Sequence, residues 1–317
     1  MGGYAPPPAS RDPSAVVLFA GGPRSYAGLA GRDKRPGDGG FLGRRVTVNA
    51  DDFGLCAAVN RAVARAHDAG ALTSASLLAN GPAFDEAVAI SGARPGLRLG
   101  VHLNILRGRP VAGAARVPSL VDEDGRFLRS AWALFRRGAL GRLERDELLA
   151  ECLAQVERVR SAGLEPAHLD AEKHAHHWLP GLFSVVLEVA RRTGIRRVRV
   201  VRERLRVADV LEAPRRGLFA AWVTARGREH AGRARRAGLL VQDEVYGVVR
   251  TGRLRAEDVL AAVARRRRGT LEVFAHPGEP RAGDPPVEPD MGVIGIAPGW
   301  AGESEALLRA ANARFEA

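Results

Sequence analysis

From Arg44 onward, hydrophobic and polar positions recur in two alternating periods. Residues 45–50 are rich in β-branched side chains and predict a strand. Leu55, Val59, Ala62, Val63 and Ala66 then fall on one face of a helix running from Leu55 to Asp68, with Gly70 as its stop. The same pairing recurs. A strand from Ser74 to Ala79 precedes a helix that opens at Pro82, and a strand from Leu97 to Leu103 carries His102 near its end. Leu148, Leu149, Leu153, Val156 and Val159 stripe a helix from Asp146 to Ser161. Beyond it the pattern predicts a strand at Ala167–Asp170, a helix at 180–193, a strand at 196–201, helices near 229–239 and 256–267, a strand at 270–275 and a last helix at 301–315. Such alternation implies an α/β fold in which a mostly parallel sheet is wrapped by helices.

Two stretches break the pattern. Residues 1–43 are rich in Pro, Gly and Arg and show no period, which predicts a disordered leader ahead of a single domain spanning 44–317. Residues 107–145 carry Gly, Pro and Asp turn signals and an exposed-looking Trp132/Phe135 segment, as expected of a long insertion over a site.

Composition adjusts this picture only slightly. With 317 residues, 46% of them apolar, the chain can fill a sizeable core. Its longest apolar runs, such as Ala15 to Ala20, are far short of the roughly 20 residues needed to span a bilayer. No secretory signal is legible and two cysteines, Cys56 and Cys152, cannot build a disulfide framework, so the expectation is a soluble, cytoplasmic protein, with a homodimer left open. The net charge of +12 would suit a polyanion partner. However, every basic residue except Lys34 and Lys173 is arginine, and the arginine clusters have no interleaved aromatics to stack on bases, so a compositionally biased surface is expected and nucleic-acid binding is not.

Candidate chemistry gathers at strand ends. The run Val-Thr-Val-Asn-Ala-Asp-Asp-Phe-Gly delivers Asp51 and Asp52 to a strand-to-helix turn. His102 ends another strand, His276 follows a third in Ala-His-Pro-Gly, and Asp170, Glu172, His174 and His176 alternate within residues 168–176. In a parallel α/β fold these positions open on one face, and an extended 168–176 segment would project its acids and imidazoles together. Carboxylate and imidazole ligands suit Zn²⁺ or another divalent ion. A solvated loop is the bland alternative for that run, and the better reading for isolated histidines such as His67 and His230. Trp132, Phe135 and Trp178 are candidate platforms for a sugar ring, with core packing the competing role of each. Phe53 is a packing wedge. Its Asp-Phe-Gly string resembles the kinase magnesium motif, but no glycine-rich phosphate loop accompanies it.

Several strings in register carry a more specific signal: Val-Asn-Ala-Asp-Asp-Phe-Gly, Ala-Leu-Thr-Ser-Ala-Ser-Leu-Leu-Ala-Asn-Gly, Leu-Gly-Val-His-Leu-Asn, His-Leu-Asp-Ala-Glu-Lys-His-Ala-His and Ala-His-Pro-Gly. Together, from about Arg45 to the C-terminus, they resemble the YdjC-like (ChbG-type) carbohydrate deacetylases. The resemblance implies a distorted (β/α) barrel, a divalent metal such as Mg²⁺ or Zn²⁺, and hydrolysis of an N-acetyl group from an amino sugar, typically on a chito-oligosaccharide. One branch is associated with hopanoid lipid biosynthesis, which adds a glycosylated lipid intermediate to the candidate substrates.

Carried over by motif, Asp51 is the base, while Asp52 and His102 are metal ligands. The next ligand, usually the first histidine of Asp-Ser-His-x-His-x-His, falls on Glu172. Glutamate brings a harder donor and an added negative charge, and His174 or His176 could take over. His276 is the expected proton donor to the leaving amine, with a capping or core histidine as its bland role. Arg199 could orient Asp51 by a charged hydrogen bond, although alternation equally permits Arg197. His176, Arg199 and Trp178 complete the expected substrate-binding set. The rivals are an inert sugar-binding or regulatory module and a metal-dependent phosphoesterase.

Overall fold

A computed structural model describes residues 44–265, 269–287, 291 and 297–313. The anticipated leader, residues 266–267 of one anticipated helix and residues 314–315 of the last one lie outside the described residues. Six strands form one parallel sheet in the order β4-β3-β2-β1-β6-β5. They are β1 (Arg44–Phe53), β2 (Ser74–Leu77), β3 (Arg98–Leu103), β4 (His168–Ala171), β5 (Glu244–Tyr246) and β6 (Gly269–Ala275). The connecting helices are α1 (Ala57–Asp68), α2 (Phe84–Gly92), α3 (Ala131–Ala139), α4 (Arg145–Ser161), α5 (Ala175–Trp178), α6 (Leu182–Thr193), α7 (Val207–Glu212), α8 (Pro214–Arg236), α9 (Ala256–Arg265) and α10 (Trp300–Asn312). Isolated parallel bridges join Leu169 to Val198 and Arg197 to Leu240, carrying the pairing from β4 back toward the start of β5. The sheet thus curls into a half-barrel wrapped by helices, the α/β barrel-like architecture that the alternating pattern and the resemblance imply.

Several boundaries moved. Residues 196–201 do not form the expected strand; their partners are a four-residue β4 and the single residue Leu240, too little for a ladder on either side. The anticipated helix near 229–239 is the C-terminal part of a 23-residue helix, α8. The stretch 107–145 is less irregular than expected, because it contains α3 and 3₁₀ turns at Ala114–Arg116 and Pro118–Leu120, while Trp132 is 70% exposed, as its segment suggested. Among the described residues no helix is long and apolar enough to cross a membrane.

Alternation along β1 explains how a buried strand can carry chemistry. Val46, Val48 and Ala50 share the face packed within the hydrophobic core, while Thr47, Asn49 and Asp51 share the other, and all six are buried. The inward face is polar and joined across strands by side-chain hydrogen bonds. Asn49 Nδ2 donates to Asp51 Oδ1 (2.7 Å) and Ser76 Oγ (2.9 Å), and Ser76 Oγ donates to Asp170 Oδ2 (2.6 Å). Gly100 makes room for this layer, since a Cβ there would lie 2.2 Å from the His168 ring.

Arg199, fully buried, is the hub. Its NH1 and NH2 reach Asp51 (2.7 and 2.8 Å), NH2 also reaches Asp170 (2.9 Å), and Nε donates to Glu272 Oε1 (2.5 Å). One guanidinium therefore ties β1, β4 and β6 together from inside the barrel.

Two predictions concern stability. Arg199→Ala strands three buried carboxylates and is expected to cost roughly 3–5 kcal/mol in urea denaturation; an unchanged midpoint would contradict the hub. Glu203 is the second case. Burial pushes its carboxyl up to about 7 against hydrogen bonds from the Gly247 and Val249 amides. A raised folded-state value means stability present at low pH and lost as pH climbs from the ordinary glutamate range toward 7, roughly 3 kcal/mol in all. In Glu203→Gln that decline should flatten in melting curves taken from pH 5 to 8.

Candidate active site

The C-terminal ends of the strands open on a cavity of about 240 Å³ whose lining includes Asp51, Asp52, His102, Glu172, His174 and His276. Asp51 and Asp52 are neighbours in β1, where alternation alone would point them apart, yet both line the cavity because Asp52 adopts a left-handed backbone (φ 63°). Asp51 is clamped by Arg199 and Asn49. Burial alone would raise its carboxyl, yet the Arg199 charge outweighs this and holds it below the usual range, so it stays ionised. Asp52 faces Arg107 from the loop after β3, at 2.7 Å. Burial nonetheless raises its carboxyl, with the nearby Glu172 charge adding to the rise against Arg107.

His102 is held between two acids. Nδ1 contacts Asp170 Oδ1 at 2.8 Å, and Nε2 lies 3.5 Å from Glu172 Oε2 and 3.9 Å from Asp52 Oδ1. Burial pulls the imidazole down, but Asp170 and Glu172 carry it well above the ordinary histidine value. Glu172 follows β4 and also takes the Arg107 guanidinium, at 2.6 Å. Burial would raise its carboxyl; Arg107, followed by His102, holds it well below the carboxylate range.

The extended 168–176 segment does not form. Lys173 (φ 48°) and His174 (φ 54°) are successive left-handed residues, and the chain passes through a short 3₁₀ turn into α5, so alternation ends at Glu172. His174 still lines the cavity, edge-on to Phe274 at 5.1 Å, with Nδ1 unpartnered. Burial, aided by Arg199, pushes it down to about 3, so the ring is neutral. His176 turns away: Nε2 is engaged by the Arg199 carbonyl at 2.9 Å, and the ring packs on His177 and Phe183. His276 reaches the cavity with Nδ1 unpaired and 3.9 Å from Glu303 Oε2, while Glu303 accepts its backbone N–H. Arg199 stands behind Asp51 rather than among the lining residues.

Beside the cavity, and sharing Lys173 and Phe219 with it, is an aromatic pocket of about 330 Å³ walled by Trp132, Phe135, Trp178 and Trp222. Trp178 is fixed by its Nε1–H bond to the Lys173 carbonyl (2.8 Å).

Sequence reasoning missed Arg107, Asn49 and Glu272. Asn49 and Glu272 carried a signal, a polar residue in the middle of an apolar strand. Arg107 carried none, as one arginine among many in a turn-rich stretch.

Two groups offer three donor atoms within 4.8 Å of one another and could hold a metal: Asp51, His102 and Asp170, and Asp52, His102 and Glu172. The donor types suit a divalent cation. Each group, however, is already bridged by a guanidinium, Arg199 between Asp51 and Asp170 and Arg107 between Asp52 and Glu172. As arranged, neither set fits a resident metal.

A carbohydrate deacetylase of Geobacillus stearothermophilus is 42% identical over 172 residues, 53% of this chain and 65% of that one. The human carbohydrate deacetylase is 37% identical over 248 residues, 74% of this chain and 75% of that one. A solved structure from Enterococcus faecalis, described as a candidate cellobiose-phosphate cleavage protein, covers 86% of this chain and 94% of its own, with a TM-score of 0.65 and 22% identity, a likeness of fold. Residues 45–315 match the model of the family described as YdjC-like protein, and the chain belongs to that family.

Proposed function

We propose that this chain is a carbohydrate N-deacetylase that hydrolyses the N-acetyl group of an amino sugar, on a chito-oligosaccharide or a glycosylated lipid intermediate. The observation that carries the reading is Asp51, ionised, clamped and facing a polar cavity that adjoins an aromatic pocket. The chain's relatives named carbohydrate deacetylases supply the reaction class.

Asp51 accepts a proton from the water that attacks the acetyl carbonyl. Arg199 and Asn49 fix the carboxylate so that its orientation is set before the substrate arrives. As the C–N bond breaks, His276 gives a proton to the departing amine. Lys173, lying between the two pockets, and the faces of Trp132, Phe135 and Trp178 hold the sugar ring. The route runs through the chain's own groups because Arg107 stands between Asp52 and Glu172, the pair that Mg²⁺ or Zn²⁺ would need. That same contact favours one alternative, a sugar-binding protein without turnover.

Acetate release from diacetylchitobiose separates the two. Wild type should release acetate, and Asp51→Asn should lower kcat by about 100-fold or more, the usual size of a lost general base. Tryptophan fluorescence that reports sugar binding, with no acetate from any N-acetylated sugar, would sink the deacetylase reading. Phosphate release without acetate from a sugar phosphate would point instead to a phosphoesterase.

A further inference from the structure

We propose that Arg107 is the resident cation of this site, seated where a divalent metal would otherwise bind and closing Asp52, His102 and Glu172 to metal. The geometry is specific. A single nitrogen, NH2, lies 2.7 Å from Asp52 Oδ1 and 2.6 Å from Glu172 Oε2. These two oxygens are the ones that converge with His102 Nε2, at 3.9 and 3.5 Å. A metal drawn to that point would meet a guanidinium nitrogen already there.

Arg107 is built into place. It is buried, NH1 donates to the Met291 carbonyl at 3.1 Å, and its backbone N–H is held by Asn104 Oδ1 at 3.0 Å. Its carbonyl accepts from Asn80 Nδ2 (2.9 Å) and Asn104 Nδ2 (3.0 Å), so the loop is pinned on both sides of the peptide. The cation is also permanent. A guanidinium does not deprotonate in proteins, unlike a lysine that could neutralise and yield its place. Binding a metal would break two charge-assisted hydrogen bonds and leave the arginine buried without its acids.

The inference does not depend on which reaction the site performs, because metal content and acetate release are independent readouts. Wild-type full chain, dialysed against ZnCl₂ or MgCl₂ and then against metal-free buffer, is expected to retain far less than one ion per chain by elemental mass spectrometry. Arg107→Ala should take up one Zn²⁺ per chain in isothermal titration calorimetry, with affinity raised at least about tenfold by removal of the neighbouring positive charge. Its melting temperature should rise on adding zinc. If Arg107→Ala fails to fold, Arg107→Gln, which is uncharged but still able to donate, carries the same comparison. The proposal is overturned if wild type retains one Zn²⁺ or Mg²⁺ bound by Asp52 and Glu172 in a crystal structure. It is equally overturned if a folded Arg107 variant binds Zn²⁺ no more tightly than wild type.

Discussion

A cation with no water around it must satisfy its own surroundings, and Arg199 does so by gathering carboxylates from three strands. Asp51, Asp170 and Glu272 could not share one barrel interior without it, since three buried acids in mutual reach would repel or protonate. The inward faces of β1, β4 and β6 are thereby committed to a charged layer instead of an aliphatic one. Asn49 on β1, and Ser76 and Gly100 on the intervening strands β2 and β3, follow from that commitment, because each must donate to the layer or stay out of its way. The cavity above inherits its electrostatics from this base. Asp51 is anionic because Arg199 is beneath it, and His102 is oriented because Asp170 is held by the same arginine.

The adjacent aspartates show how the fold separates two functions along one strand. Alternation alone would send Asp51 and Asp52 to opposite faces, one of them into the core. The left-handed backbone at Asp52 instead returns its side chain to the mouth of the barrel. Each acid then acquires its own arginine, Asp51 from below and Asp52 from the loop after β3. The adjacent acids therefore make two separate ion pairs.

Much of this was legible in the sequence. The strand–helix alternation fixes the class of fold, and strand-end placement brings Asp51, Asp52, His102 and His276 to one cavity because parallel strands all open on the same side. Three things were hidden for physical reasons. Periodicity assumes a regular backbone, so it could not foresee consecutive left-handed residues at Lys173 and His174, which redirect His176 toward the Arg199 carbonyl. Residues 196–201 have the β-branched content of a strand, but what makes a strand is a neighbour long enough to pair with, and that is a property of the assembled sheet. Arg107 was invisible for a third reason: a functional arginine in an arginine-rich chain has no compositional contrast.

The two pockets meet at Lys173 and Phe219, which belong to both. A ligand group in the aromatic pocket that shifted this lysine or ring would alter the affinity of the neighbouring cavity, and occupancy of that cavity would alter the affinity of the aromatic pocket by the same factor. Selectivity for a ligand long enough to reach both would then reside in that coupling, beyond what either pocket achieves alone.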